Sequence, residues 1–208
     1  MSLIVVNLAV FIYEFALGQN VNGFLMRNGL IPASLTSAGE GAGMAFRPHV
    51  LITSIFLHGG WLHVGGNMLY LWIFGDNVED RLGRVRFLAF YLLCGVAAGL
   101  THVLANPSST VPTIGASGAI AGVLGAYFLL YPKSRVLTLI PLGFYLQVVQ
   151  LPAFLFLGLW FLLQFVVGAA SLSASGGGGG VAWWAHVGGF VAGALLQFVF
   201  KKRGGEWA

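Results

Sequence analysis

The chain has 208 residues, 58% of them hydrophobic and only 8% charged. A soluble domain carries about 25% charged residues, and disordered chains are charged and poor in aromatics, so both classes are excluded. The formal charge of +4 comes from basic residues too few and too scattered to form a nucleic-acid-binding stripe. The 31 glycines follow no G-X-Y period, which excludes collagen, and the single Cys94 leaves neither an intrachain disulfide nor a thiolate metal site. A polytopic all-α membrane protein remains, with one domain expected over residues 1–208.

A bilayer core of about 30 Å asks for roughly 20 apolar residues per helix. Six stretches come near that, beginning with Ser2–Leu17. That first stretch lacks a basic n-region and a cleavage site, so it reads as a retained span and not a signal peptide. Phe56–Phe74, Phe87–Ala105, Ser117–Tyr131, Leu151–Ala170 and Val181–Phe200 follow. The first and fourth are short. Between the fourth and fifth, Val136–Gln150 is apolar but broken by Pro141 and Gly143, and reads either as an interfacial segment or as an extension of span five.

Charge placement gives the orientation. Arg81, Arg84 and Arg86, then Lys133 and Arg135, then Lys201, Lys202 and Arg203 all fall on one side of a six-span chain, against Arg27 and Arg47 on the other. This asymmetry puts both termini in the cytoplasm. Of the outward connections, Gly18–Val50 is long enough to hold structure of its own, and Gly176–Gly180 is a flexible linker by composition. Span two is expected to end at Phe74, with the connection Gly75–Arg86 on the cytoplasmic side.

Ionisable and polar groups inside spans are functional candidates, because leaving them unpaired in hydrocarbon is costly. Spans two, four and six run the same way, so depths compare directly. Ser117 precedes Tyr131 by fourteen residues and His186 precedes Phe200 by fourteen. At ~1.5 Å per residue both lie about 21 Å above the inner boundary. His63 reaches nearly the same level, and Asn67 lies one turn deeper on the same helical face. A hydroxyl and a neutral imidazole at one depth permit nucleophilic catalysis, with the imidazole taking the serine proton. No carboxylate shares the layer, so the arrangement is a dyad. Ser117 opens a helix, whose free N–H groups, with His63 and Asn67, can face an oxyanion.

Each feature alone has a plainer explanation. Gly115–Gly118 suits a small-residue packing face, His186 a structural or ligand histidine, and His63 with Asn67 an interhelical polar pair. Their common depth favours the catalytic reading. Gly189 and Gly193 on span six, facing Gly118, Gly122 and Gly125 on span four, let the two helices approach closely enough for Ser117 to meet His186. His58 and His49 read as structural, and a haem or transport site using His63, His102 and His186 is a weaker alternative.

Four motifs in order now carry a resemblance. Phe56-Leu-His-Gly-Gly-Trp-Leu-His63-Val-Gly-Gly-Asn67-Met, Gly75-Asp-Asn-Val-Glu79-Asp-Arg-Leu-Gly83, Gly115-Ala-Ser117-Gly118 and Ala185-His186-Val-Gly-Gly189-Phe-Val-Ala-Gly193 resemble the rhomboid intramembrane serine proteases. The resemblance implies a six-transmembrane-helix rhomboid-like bundle, with the site in a water-filled cavity open to the outside. Ser117 would be the nucleophile and His186 the general base, with His63 and Asn67 stabilising the oxyanion. No cofactor or metal is implied, and the partners would be transmembrane protein substrates within the lipid bilayer. A bacterial plasma membrane is the expected location. The alternative is a noncatalytic rhomboid-like protein that binds membrane clients. Two positions depart from the family pattern. Phe46-Arg47 stands where a Trp-Arg pair is common, and Ala121 stands where some members stack a tyrosine on the imidazole, leaving Trp183 or Trp184 as candidates to orient His186.

Overall fold

The computed structural model describes residues 2–36, 45–142, 145–173 and 181–202. Helix α1 (Ser2–Ala16) turns through 110° into α2 (Val21–Asn28), and short α3 (Val50–Thr53) leads into α4 (Trp61–Leu82). Then come α5 (Arg84–Ala105), α6 (Ser117–Leu130), strands β1 (Arg135–Leu142) and β2 (Tyr145–Pro152), α7 (Ala153–Ser173) and α8 (Trp183–Phe200). The expected glycine linker 176–180 lies outside the described residues.

Helices α1, α4, α5, α6, α7 and α8 stand on the six apolar stretches. By length and apolarity, Arg84–Ala105, Ala153–Ser171 and Trp183–Phe200 qualify as membrane spans, and the bent α1–α2 pair adds a fourth. Helix α6 is apolar but has only 14 residues. In α4, His63, Asn67, Asp76 and Asn77 dilute an otherwise apolar run.

Two expectations need correction. Span two does not end at Phe74: α4 runs on through Asp76, Glu79, Asp80 and Arg81 to Leu82, and Gly83 alone separates it from α5. Hydropathy marks where an apolar stretch ends, whereas the helix continues because Gly75, Val78 and Leu82 remain buried against the bundle, and packing outweighs the weak propensity of Gly75, Asp76 and Asn77. Gly83 makes the break with φ 87°, a left-handed conformation that glycine adopts without a Cβ penalty. The all-α reading also omits a two-stranded antiparallel hairpin, paired from Arg135↔Pro152 to Leu142↔Tyr145. Residues 136–142 and 145–150 are therefore strands and not a helical extension of span five.

Helix α6 is central. Every residue from Gly118 to Tyr127 is buried, with α4, α5, α7 and α8 around it. Its small residues allow this. A Cβ on Gly189 or Gly193 would collide with the carbonyl oxygens of Gly118 and Gly122, and one on Gly125 with that of Phe190, so α6 and α8 lie backbone to backbone. The two helices run parallel. At their far ends the Tyr131 hydroxyl donates to the Asn77 carbonyl at 3.0 Å, and the Lys202 amide donates to the Arg81 carbonyl at 3.3 Å, which ties α4, α6 and α8 together. Tyr91, Phe74 and Phe90 are buried in the core, with Phe74 edge-on to Tyr127 of α6 and Phe90 edge-on to Phe200 of α8.

The first connection does hold structure. Besides α2 it contains a 3-10 turn over Pro32–Leu35, and α3 starts at its end. Leu30 bridges Thr113, and the Thr53 hydroxyl donates to the Asn28 carbonyl at 2.7 Å. These bonds fasten the segment over the end of the bundle where α6 and α8 begin.

Candidate active site

Ser117 is the first residue of α6, and His186 lies in the first turn of α8. Because the glycine seam brings the two helix starts side by side, His186 Nε2 stands 2.8 Å from Ser117 Oγ. The histidine is buried, at 8% exposure. Its Nδ1 is 2.7 Å from Oε1 of Gln164 on α7. A carbonyl oxygen can only accept, so this contact is a hydrogen bond only when Nδ1 carries the imidazole proton, the tautomer that leaves a lone pair on Nε2 facing the serine hydroxyl. The Trp160 ring lies against the imidazole at 5.8 Å and 34°, and Trp183 meets it edge-on at 6.4 Å.

The neighbouring donors come from α4. Gly115 adopts φ 126°, and a Cβ there would lie 2.7 Å from His63 Nε2 and 3.6 Å from Asn67 Nδ2. The chain entering α6 therefore passes directly over both nitrogens. The Gly59 amide donates to His63 Nδ1 at 3.3 Å, which puts the proton of a neutral His63 on Nε2 and makes that atom a donor. Asn67 Nδ2 is buried with no partner among the described residues. The first N–H groups of α6 have, as at any helix start, no intrahelical acceptor. Three kinds of N–H donor are thus held near Gly115, on the cavity that Ser117 also lines.

All four residues singled out in the sequence line one cavity of about 1220 Å³, with Trp160 and Ser109 among its other walls. Among the described residues, no group of three or more His, Cys, Asp or Glu is placed to hold a metal ion. His102 also faces the cavity, but its Nδ1 lies 3.5 Å from the Asn106 amide nitrogen in its own helix turn.

Sequence reasoning missed two residues. Gln164 was the first; of the two tryptophans expected beside His186, Trp183 does meet the ring edge-on, whereas Trp184 packs edge-on against Phe165 at 6.0 Å. The depth count used for the other spans would have found the glutamine. It lies thirteen residues after Leu151, the same count that separates His63 from Asp76. Ala121 also has a physical explanation, because it is wholly buried against Gly189 and leaves no room for a tyrosine. The second omission is Glu14 on α1, 2% exposed, whose carboxylate accepts the His58 amide at 3.2 and 3.3 Å and so anchors the turn that precedes His63.

A half-buried alcohol and a buried imidazole thus meet within the helical bundle. A family model, the Rhomboid domain, matches residues 45–203. The chain is 33% identical over 161 residues to the mitochondrial rhomboid protein 1 of Saccharomyces cerevisiae, covering 73% of this chain and 42% of that protein. It is 34% identical over 178 residues to RHOMBOID-like protein 1 of Arabidopsis thaliana, covering 83% and 41%. Rhomboid protease GluP of Bacillus subtilis matches at 39% identity over 93 residues, 45% of this chain and 18% of GluP. The chain belongs to the rhomboid family. It is an integral, multi-pass membrane protein of a family whose members include proteins named proteases, and it spans about two-fifths of the length of the yeast and Arabidopsis relatives.

Proposed function

We propose that this chain is an intramembrane serine endopeptidase that hydrolyses peptide bonds in or near transmembrane segments of other membrane proteins. The observation that carries the reading is the 2.8 Å contact between Ser117 Oγ and His186 Nε2. As Ser117 Oγ attacks the scissile carbonyl carbon, its proton passes to the Nε2 lone pair. The oxyanion of the tetrahedral intermediate is met by His63 Nε2–H, Asn67 Nδ2–H and the opening amides of α6, held in place before the charge develops. Collapse breaks the C–N bond, and His186 returns the proton to the departing amine, leaving an acyl ester on Ser117. Water, deprotonated by the same Nε2, then releases the acid and restores the hydroxyl. The cavity supplies that water to a depth where hydrocarbon would otherwise exclude it.

In this reading all six long helices cross the bilayer, with both termini cytoplasmic. Helices α6 and α8 begin toward the outer face, and the protein resides in a bacterial plasma membrane. A serine-directed fluorophosphonate probe is expected to label the protein and not Ser117→Ala. His186→Ala is expected to lower cleavage of a transmembrane reporter by at least about 10³-fold while the protein still folds and melts cooperatively. Equal labelling of wild type and Ser117→Ala would overturn the proposal and leave a client-binding protein.

A further inference from the structure

Helix α7 presents one inward face, formed by Ala153, Leu157, Gln164 and Gly168, all buried. The residues flanking Gln164 point away from the bundle: Leu162, Leu163, Phe165 and Val166 are each about half exposed. Gln164 is thus the single amide on a helix otherwise built for lipid, turned inward and 5% exposed. A polar side chain in such a position needs a partner, and its partner is His186 Nδ1 at 2.7 Å.

An imidazole exists in two neutral tautomers of similar intrinsic energy, and its neighbours select between them. On the Ser117 side the hydroxyl can donate or accept, so that contact alone does not choose. On the other side the choice is made by Oε1, which has lone pairs and no hydrogen. With the proton on Nδ1, the Gln164 bond forms and Nε2 is free to receive the serine proton. With the proton on Nε2, two lone pairs would face each other across 2.7 Å, and the imidazole would direct an N–H at Ser117 where a base is needed.

We propose that Gln164 is a positioning residue that fixes His186 in the Nδ1–H tautomer, doing with a neutral amide what a carboxylate does in a Ser-His-Asp triad. The inference rests on the catalytic reading above and completes it, replacing the dyad by a relay of three side chains from α6, α8 and α7. Unlike a carboxylate, an amide brings no charge into the low-dielectric interior, where an ion would be costly to bury. It still orients the ring through one bond and the adjacent Trp160 face.

The test combines a spectroscopic and a kinetic measurement. In ¹⁵N-histidine-labelled protein in detergent, with His186 assigned by its loss in His186→Ala, the His186 shifts should show Nδ1 protonated and Nε2 bare. In Gln164→Leu they should show a tautomer mixture or the reverse tautomer. Gln164→Leu should lose about 10- to 10³-fold in kcat for a transmembrane reporter and in fluorophosphonate labelling rate, with KM changed little. Gln164→Glu, whose carboxylate can only accept, should recover most of that loss. A protonated Nε2 in the wild type would overturn the inference. So would a Gln164→Leu variant labelled at the wild-type rate, or a Gln164→Glu variant as slow as Gln164→Leu. If Gln164→Leu does not fold, the wild-type shifts still decide. Failure here with a labelled wild type and an unlabelled Ser117→Ala would refute the role of Gln164 alone, whereas equal labelling of those two proteins would refute the catalytic reading itself.

Discussion

The α6–α8 seam and the α7–hairpin region are built in opposite ways from the same apolar composition. At the seam, Gly118, Gly122, Gly189 and Gly193 strip the side chains away until carbonyl oxygens of one helix touch the backbone of the other. In α7 the apolar stretch keeps its large side chains and only 22% of it is buried, against 44% of α5. The hairpin leading into α7 exposes Leu137, Leu139, Leu146 and Val148. In a lipid environment exposed leucine costs nothing, because lipid tails are as apolar as the side chain, so only close packing and polar bonds hold helices together. Ser117 and His186 sit where both are strongest. Gln164 reaches the site from the side where both are weak.

The largest expected effect lies in the seam. Gly193→Leu would drive a branched side chain into the Gly122 backbone, which has no rotamer with which to yield. We expect destabilisation of about 3 kcal/mol or more, read as loss of folded protein in a detergent thermal melt. A native melting curve would show that the seam can spread.

A middle effect tests whether the loosely packed side must move. A Cβ on Gly168 would lie 3.2 Å from that of Trp183, close to the ~3.5–4.5 Å of a disulfide, and native Cys94 is buried away from oxidant. Oxidised Gly168→Cys/Trp183→Cys should cleave transmembrane reporters on the order of tenfold more slowly, recover on reduction, and still accept the small fluorophosphonate. Unchanged cleavage would mean that substrate reaches the cavity without displacing α7. The smallest effect is expected for Leu163→Ala. This 57% exposed side chain should change the melting behaviour by less than about 0.5 kcal/mol, whereas a large loss would reveal a partner on that face.

The same contrast explains what could be read from the sequence. The helix positions follow from apolar stretches, and Ser117, His186, His63 and Asn67 stand out because polar groups in spans are rare and a depth count aligns them. Gln164 escaped because it faces a histidine already supplied with one evident partner, on a span running the opposite way. The hairpin escaped because its strands are apolar on both faces, so the alternation that marks a half-buried strand is missing from 135–152. The extent of α4 escaped because Asp76, Glu79 and Arg81 end the apolar run without ending the helix.

Glu14 extends the site in an unexpected direction. The family match begins at residue 45, yet a carboxylate well upstream of it grips the backbone at His58, one turn of chain ahead of His63. The amino-terminal helix is therefore tied to the His63 side of the cavity by this carboxylate, beside the Phe11 and Phe15 rings that pack on Trp61. Grafting residues 45–203 onto a foreign leading helix would leave that amide without its acceptor, so a chimera that keeps the matched domain intact should still need glutamate at the equivalent place to hold its histidine in register.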